Sequence, residues 1–209
     1  NICIIGLGYV GLPLCVALEK FFKITGFDTN IKRIEDLKNG VDNTKEIAAK
    51  DLRNCKNINF TNKNSDLEDC DIYIITVPTP VNKKNNPDLY FLKIATQIVA
   101  KCLSKNNVII YESTVYPGAT EEFCVPILEK ISKLNYLQDF SVGYSPERIN
   151  PGDNKNKLPD IVKVVSASDK NTLKLIKNIY SLIVKAGVYS AQSIKVAEAA
   201  KVIENIQRD

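Results

Sequence analysis

The feature that most constrains the fold is a glycine-rich turn between an apolar run and a helical pattern. Residues 1–5 are almost entirely apolar, as is typical of a buried parallel strand. Three glycines follow in the spacing G-x-G-x-x-G: Gly6, Gly8 and Gly11. Beyond them, apolar residues recur at helical spacing as far as Phe22, and a second short strand, 23–27, ends in Asp28. A strand, a glycine turn, a helix and a second strand ending in an acid predict a dinucleotide-binding βαβ unit.

Each residue of this unit has an expected role. Gly6 allows the tight turn, Gly8 lets the backbone approach a pyrophosphate, and Gly11 lets the helix pack close to the sheet. The helix N-terminus offers N–H groups and a partial positive charge to the phosphates. Asp28 is placed to accept hydrogen bonds from the adenosine ribose and to repel a 2′-phosphate, which favours NAD over NADP. Arg33 is expected on the adenine side, where it would also tolerate a 2′-phosphate.

Strands and helices alternate along the rest of the chain. Further strands are predicted over 58–60, 71–77, 107–111, 140–144, 161–165 and 184–188. Further helices are predicted over 31–37, 88–102, 119–132, 169–182 and 193–209. This alternation predicts an α/β fold with a doubly wound, mostly parallel Rossmann-type sheet, ending in part of a long helix. We divide the chain into a domain, 1–188, and the start of that helix, 189–209.

Composition excludes several kinds of chemistry. The chain has no His, so a Ser-His or Cys-His nucleophile pair and a His-ligated metal site are both excluded. Its six Cys form no C-x-x-C and no zinc spacing, so we expect reduced structural thiols and no metal site. The net charge of +4, with dispersed Lys, suits an anionic small ligand better than nucleic acid. No apolar run reaches the ~18 residues of a membrane span and no signal peptide is visible, which favours the cytoplasm.

Polar side chains follow three predicted strands at their carboxyl ends, where open α/β sheets bind ligands. Thr79, Thr114 and Glu147 are the candidates. Ordinary loop capping is the alternative for the two Thr, and a surface ion pair with Arg148 is the alternative for Glu147. In the terminal helix, Lys201, Asn205 and Arg208 are spaced to share one face. Apolar residues are expected on the other face: Ile194, Ala197, Ala200 and Ile203. A solvated helix face is the alternative for the polar side.

Five motifs carry a family resemblance over essentially the whole chain. They are GLGYVGLPL at 6–14, VPTP at 77–80, ESTVYPGATEE at 112–122, SPERINPGD at 145–153 and EAAKVIEN at 198–205. In this order they resemble the UDP-glucose/GDP-mannose dehydrogenase family. Pro13 and the PERINPG segment resemble the branch that acts on UDP-N-acetylhexosamines, especially the galactosamine and glucosamine enzymes of capsule and O-antigen synthesis.

The resemblance implies a reaction and a division of roles. The sugar C6 alcohol becomes a carboxylate in two hydride transfers to NAD⁺, through a thioester on a Cys. The positions that match cofactor contacts are Gly6, Gly8, Tyr9, Val10, Gly11, Asp28, Arg33, Thr79 and Thr114. Thr114 and Glu147 match residues that position a water, and Glu147 matches the base of thioester hydrolysis. Lys201 matches the cation that stabilises the developing oxyanion, with Asn205 as its polar companion. The positions that match the substrate side are Glu147, Arg148, Ile149, Lys201, Asn205 and Arg208.

One part of the family pattern is missing. The family's nucleophilic Cys lies in a glycine-rich motif beyond the long helix, and none of the six Cys stands in such a motif. A chain without Met that ends within a helical pattern is expected to be a segment of a longer polypeptide. We therefore expect the UDP-sugar domain and the nucleophile to lie outside it, and the full enzyme to be a homodimer built on the central helix. The alternatives are a β-hydroxyacid-type dehydrogenase domain and a non-catalytic NAD-binding module.

Overall fold

A computed structural model describes residues 1–81, 87–147 and 158–208. Within these ranges the strands are β1 (Ile2–Ile5), β2 (Ile24–Phe27), β3 (Ile58–Thr61), β4 (Ile72–Ile75), β5 (Val108–Tyr111), β6 (Ser141–Tyr144), β7 (Lys163–Ala167) and β8 (Val188–Ser190). The α-helices are α1 (Gly11–Leu18), α2 (Ile31–Lys38), α3 (Ala49–Asn54), α4 (Tyr90–Cys102), α5 (Val125–Ser132), α6 (Lys170–Ser181) and α7 (Ile194–Arg208). A π-helical segment, Ala119–Cys124, leads directly into α5.

All eight strands form one sheet in the order β3-β2-β1-β4-β5-β6-β7-β8. Neighbouring strands are parallel throughout except for the antiparallel pair β6 and β7. The first six strands have the order of a doubly wound dinucleotide-binding sheet, with the reversal between β1 and β4. The predicted fold class is therefore confirmed. Because β7 is antiparallel to β6, its first residue, Lys163, lies at the edge of the sheet where β5 and β6 end.

The central strands β1, β4 and β5 are buried on both faces, as their continuous apolar runs predicted. Successive residues of each central strand point alternately into two core layers. One layer packs under α4, α5 and the start of α7, and the other under α1, α2 and α6. The two layers fix the sheet between helices, so the loops at its carboxyl edge are held on a rigid base.

Several local predictions differ from the structure. Helix α1 ends at Leu18 rather than at Phe22, and β7 spans 163–167 rather than 161–165. Helix α3 was not predicted, because Leu52 is its only buried residue and a single residue gives no periodic signal. Strand β8 begins at Val188 rather than at Val184, because Val184 is packed under α6 and Gly187 forms a turn with φ of +101°. The predicted helix from Ala119 is present, but its first segment is π-helical rather than α-helical.

The buried face of the terminal helix α7 differs from the predicted one. Its buried face contains Ile194, Ala197, Glu198 and Lys201, which have the spacing i, i+3, i+4 and i+7. Ala200 and Ile203, which were expected on the apolar face, are exposed instead. Two charged residues are thus part of the buried side of α7. No helix in the described part of the chain has the length and apolarity that a membrane span requires.

Candidate cofactor and catalytic site

The glycine turn lies between β1 and α1, at the point where the strand order reverses. Gly6 has a φ of +93°, a conformation that side chains disfavour. A Cβ on Gly11 would lie 2.0 Å from the carbonyl oxygen of Gly6 and 2.5 Å from the hydroxyl of Thr76. That hydroxyl donates to the Gly6 carbonyl at 2.7 Å, so the contact cannot open without breaking the turn. Gly6 and Gly11 are therefore required by the fold itself.

Gly8 differs from the other two, because a Cβ there would meet open space. Helix α1 begins beside it, with no side-chain cap at Val10 and no acidic residue in the first turn. Tyr9 is exposed and Val10 is half-buried on the rim of the same turn. An uncapped helix N-terminus next to an empty backbone cradle fits the pyrophosphate of a dinucleotide. The residues present thus fit NAD at the position that the sequence predicted.

Asp28 is held rigidly at the end of β2. Its carboxylate accepts hydrogen bonds from the backbone N–H groups of Leu7 and Asn30, both at 2.9 Å. Beside it is a cavity of about 440 Å³, which is within the range of small-molecule sites. The apolar part of the cavity wall includes Val77, Tyr90, Phe91, Ile94 and Ile98. An acid at the mouth of an apolar cavity suits a ribose with its adenine.

Arg33 is packed against the glycine turn. Its guanidinium donates twice to the carbonyl oxygen of Leu7, at 2.9 and 2.7 Å, and pairs with Asp42 at 2.8 Å. Burial opposes ionisation of Asp42, but hydrogen bonds from Thr44, Ile47 and Arg33 outweigh it and lower the pKa of Asp42. The structure thus places Arg33 as a clamp on the turn, and its contact with adenine stays a prediction. Sequence reasoning missed Asp42, although the turn-forming run Asp-Asn-Thr marks the position.

The loops that follow β4 and β5 are tied together. The hydroxyl of Thr79 donates to the carbonyl oxygen of Thr114 at 2.5 Å, and the hydroxyl of Ser113 donates to that of Val77 at 2.6 Å. Thr114 itself is exposed at this edge. The two Thr that the sequence singled out are therefore neighbours, and they lie next to the glycine turn across β1 and β4.

A buried charge cluster lies at the same edge, beyond β5. The ammonium of Lys163 contacts the carboxylate of Glu112 at 2.8 Å and that of Glu147 at 3.1 Å. The hydroxyl of Tyr180 donates to the other carboxylate oxygen of Glu112. Sequence reasoning missed Lys163 and Tyr180. The only signal for Lys163 was a charged residue within the otherwise apolar run of 161–165.

The charges in this cluster depend on one another. Burial raises the pKa of Glu112, while the positive charge of Lys163 acts in the opposite direction. Burial likewise disfavours the ammonium of Lys163, but Glu112 and Glu147 outweigh it and raise the pKa of Lys163. Burial and the charge of Glu112 raise the pKa of Tyr180 well above its ordinary value. Lys163 is therefore a permanent cation, and Tyr180 is a neutral hydrogen-bond donor.

Lys201 lies on the buried side of α7, only 7% exposed, with Glu204 at 3.8 Å. Glu198, one turn earlier, is fully buried and accepts hydrogen bonds from the backbone N–H groups of Gly118 at 2.5 Å and Thr120 at 2.9 Å. These bonds fix α7 to the segment that follows Thr114. The solvated-face alternative for Lys201 does not hold, since the residue is buried.

The remaining predicted substrate residues are only partly described. Asn205 is half-buried on α7. Arg208 is the last residue of that helix, and its side chain is outside the described part. Arg148 and Ile149 also lie outside the described residues. Their roles toward a substrate stay predictions.

The six thiols are free, and five of them are buried. Burial raises the pKa of most of them, including that of Cys124 to about 12. Cys70 is the exception: a hydrogen bond with Cys3 lowers the pKa of Cys70 to about 7. Cys70 precedes β4 and so lies at the edge of the sheet opposite the glycine turn. Within the described ranges, no group of three or more Cys, Asp or Glu side chains could hold a metal ion.

Comparison with known proteins agrees with this geometry. Residues 1–184 match the family described as UDP-glucose/GDP-mannose dehydrogenase, NAD binding domain. UDP-N-acetyl-D-glucosamine 6-dehydrogenase from Salmonella typhi and Protein CapL from Staphylococcus aureus are each 53% identical over the whole chain, which covers 49% of either protein. The solved structure of UDP-D-ManNAc dehydrogenase from Pyrococcus horikoshii superimposes with a TM-score of 0.91 at 29% identity, over 99% of this chain and 50% of that one. The chain thus spans about half the length of the curated relatives it matches.

Proposed function

Since the chain belongs to the UDP-glucose/GDP-mannose dehydrogenase family and carries its NAD-binding domain, we propose that it is the NAD-binding half of a UDP-N-acetylhexosamine 6-dehydrogenase. The enzyme oxidises the sugar C6 alcohol to a carboxylate with two NAD⁺. The product serves as a precursor of capsule or O-antigen polysaccharide. The observation that carries the proposal is the placement of the glycine cradle, the tied Thr79 and Thr114, and the buried ion cluster of Glu147 at one edge of the sheet. The names of the 53% identical relatives support the substrate class and the capsule role.

The chain's own residues divide the work of binding. NAD, when bound, supplies the hydride acceptor for both oxidation steps. Gly8 and the N-terminus of α1 receive the pyrophosphate, and Asp28 receives the ribose hydroxyls beside the apolar cavity. The clamp of Arg33 and Asp42 holds the turn in the shape that the phosphates need. Thr79 and Thr114, in the tied loops that follow β4 and β5, are assigned to the nicotinamide side.

The proposal assigns the catalytic roles to Glu147 and Thr114 in the loops at this edge and to Lys201 and Asn205 on α7. The buried ammonium of Lys201 stabilises the oxyanion that forms at C6, with Asn205 as its companion. The carboxylate of Glu147 accepts the proton of the water that hydrolyses the thioester, and Thr114 helps to place that water. Arg148, Ile149 and Arg208 contact the substrate. Burial disfavours the thiolates of Cys3, Cys15 and Cys124, which makes them poor nucleophiles. Cys70, whose pKa is lowered, lies at the opposite edge of the sheet.

The proposal therefore assigns the nucleophilic Cys and the uridine-binding domain to the remaining half of the polypeptide, so that residues 1–209 alone do not complete the reaction. The working enzyme is a cytoplasmic homodimer. The exposed apolar side chains of α7, Val196, Ile203 and Ile206, support a covered helix in that dimer. The division of the chain at residue 188 belongs to the same proposal.

A substrate panel on the full-length enzyme tests this function. UDP-GlcNAc, UDP-GalNAc, UDP-ManNAc, UDP-glucose and small β-hydroxyacids are each supplied with NAD⁺ or NADP⁺, and NADH or NADPH is followed by absorbance. We expect turnover with an N-acetylhexosamine substrate, a uronate product and a preference for NAD⁺. Turnover of the hydroxyacids alone, or NAD binding without turnover of any substrate, contradicts the proposal.

A further inference from the structure

Lys163, Glu112 and Tyr180 form a buried cluster with Glu147, and the proposed reaction gives a role to Glu147 alone among the four. We propose that Lys163 is a positioning residue, which holds the carboxylate of Glu147 ionised and aimed at the reacting edge, and that Glu112 and Tyr180 hold Lys163 in turn. This inference rests on the function proposed above. It adds three residues to the machinery around the base, none of which touches the substrate.

The topology of the sheet fixes where the Lys163 side chain begins. Strand β7 runs antiparallel to β6, with Tyr144 opposite Ser166, so the first residue of β7 lies beside the segment that follows β6. The backbone N–H of Lys163 is fixed to the carbonyl oxygen of Gly187, and the hydroxyl of Ser145 donates to the carbonyl oxygen of Val164. The Lys163 side chain therefore starts from a rigid backbone, and its ammonium is directed at the two carboxylates.

The two acids that contact Lys163 differ in their exposure to solvent. The side chain of Glu112 is 1% exposed and that of Glu147 is 11% exposed, while the side chain of Lys163 is 3% exposed. Glu112 accepts from Lys163 through one oxygen and from Tyr180 through the other. Glu112 is thus shielded from solvent with both of its oxygens hydrogen-bonded, whereas Glu147 remains partly exposed at this edge of the sheet.

Lys163 places one positive charge between the carboxylates of Glu112 and Glu147. Two carboxylates in a shared buried site cannot both ionise without a cation between them. Lys163 supplies that cation, because Glu112 and Glu147 raise its pKa against the effect of burial. Tyr180 on α6 lies with its ring 5.2 Å from the ammonium and stays neutral, as does Tyr144 on β6, whose pKa burial raises. Lys163 is therefore a cation that favours ionisation of both acids.

Removing the charge of Lys163 and removing the charge of Glu112 should shift the acid limb of the pH profile of kcat in opposite directions. Lys163→Met deletes the positive charge, so protonation of Glu147 becomes easier and the acid limb of the pH profile of kcat moves up by about one to three units. Glu112→Gln deletes the competing negative charge, so the same limb moves down. A purely structural cluster would lower stability in both variants and would shift the limb in neither direction.

The experiment measures kcat and KM against pH in the full-length enzyme for the wild type and four variants. We expect Lys163→Met to lower kcat at least about tenfold at pH values below its shifted limb, with KM for NAD unchanged. Lys163→Arg should restore most of the activity, because it keeps the charge. Ser166→Ala is the matched control: it is buried on the same strand and donates to the carbonyl oxygen of Tyr144, but lies outside the cluster.

A direct titration separates this inference from the proposed function. The carboxyl carbon of Glu147 is followed by ¹³C NMR in glutamate-labelled full-length enzyme, with Glu147→Gln to assign the signal. An upward displacement of the titration in Lys163→Met and a downward one in Glu112→Gln support the inference, whether or not the enzyme oxidises UDP sugars. If Lys163→Met does not fold, Glu112→Gln decides alone. An unchanged midpoint in the variants that fold overturns the inference.

Discussion

The three glycines of the turn should respond to alanine in two different ways. A methyl group on Gly8 would project into open space, whereas a methyl group on Gly11 would lie 2.0 Å from the backbone oxygen of Gly6. The open space beside Gly8 is the one that we assign to the pyrophosphate. The space beside Gly11 is already filled by the backbone of the turn. The two substitutions therefore separate the binding role of the motif from its folding role.

The magnitudes follow from these contacts. Gly8 does not have a positive φ, so Gly8→Ala costs no backbone strain and should change the free energy of unfolding by about 0 to +1 kcal/mol. Its methyl group should weaken NAD at least about tenfold, or about 1.4 kcal/mol. Gly11→Ala forces a backbone shift against Gly6 and Thr76, and we expect a loss of about 1–3 kcal/mol of stability, as for overpacked cores.

Urea unfolding and calorimetric titration with NAD measure the two quantities separately. We expect Gly8→Ala to unfold at the wild-type denaturant concentration or above it and to bind NAD weakly. Gly11→Ala should unfold earlier. If Gly8→Ala bound NAD with wild-type affinity, the open space beside Gly8 would not be the pyrophosphate cradle, and the reasoning from the turn would be refuted.

Three other substitutions test single contacts. Lys201→Ala in the full-length enzyme should lower the oxidation rate by a factor of about 10² to 10³, because a partner of the oxyanion is lost; near-normal turnover in a stopped-flow assay would refute its role. Glu198→Ala leaves two buried backbone N–H groups without their acceptor, and chemical unfolding should show a loss of about 2–4 kcal/mol, with no loss counting against the anchor. Asp42 has a lowered pKa, so the stability it contributes is present above its unfolded pKa near 4 and is lost as pH falls through the folded value. Asp42→Asn should unfold at lower urea at pH 7 and lose less than the wild type on acidification to pH 3; equal acid sensitivity would contradict this.

Local patterns were enough to predict the fold and the cofactor end of the site. The glycine spacing, the apolar strands and the acid at the end of β2 each depend on neighbours in sequence. The structure has the glycine turn, the first six strands and Asp28 where they were predicted, while β7 and β8 are displaced along the chain. Gly11 and Asp28 could be assigned because their roles follow from the βαβ unit alone.

The catalytic end depends on contacts between distant segments, which local patterns do not carry. Lys163 meets Glu112 across 51 residues only because β7 is antiparallel to β6. The burial of Glu198 and Lys201 could not be predicted from the polar pattern of α7, because the acceptor role of Glu198 is toward the backbone of Gly118, 80 residues away. The position of Arg33 could not be predicted for the same reason. The motif alone suggested that its guanidinium contacts a ligand, whereas in the structure it binds Asp42 and the carbonyl oxygen of Leu7.

The number of NADH formed per UDP sugar tests the central claim most directly. A limiting amount of UDP-N-acetylhexosamine is converted to completion by the full-length enzyme with excess NAD⁺, and NADH is counted by absorbance at 340 nm. The account predicts two NADH per sugar and a uronate product. One NADH per sugar with an aldehyde product, or no NADH from any UDP-N-acetylhexosamine, would contradict it.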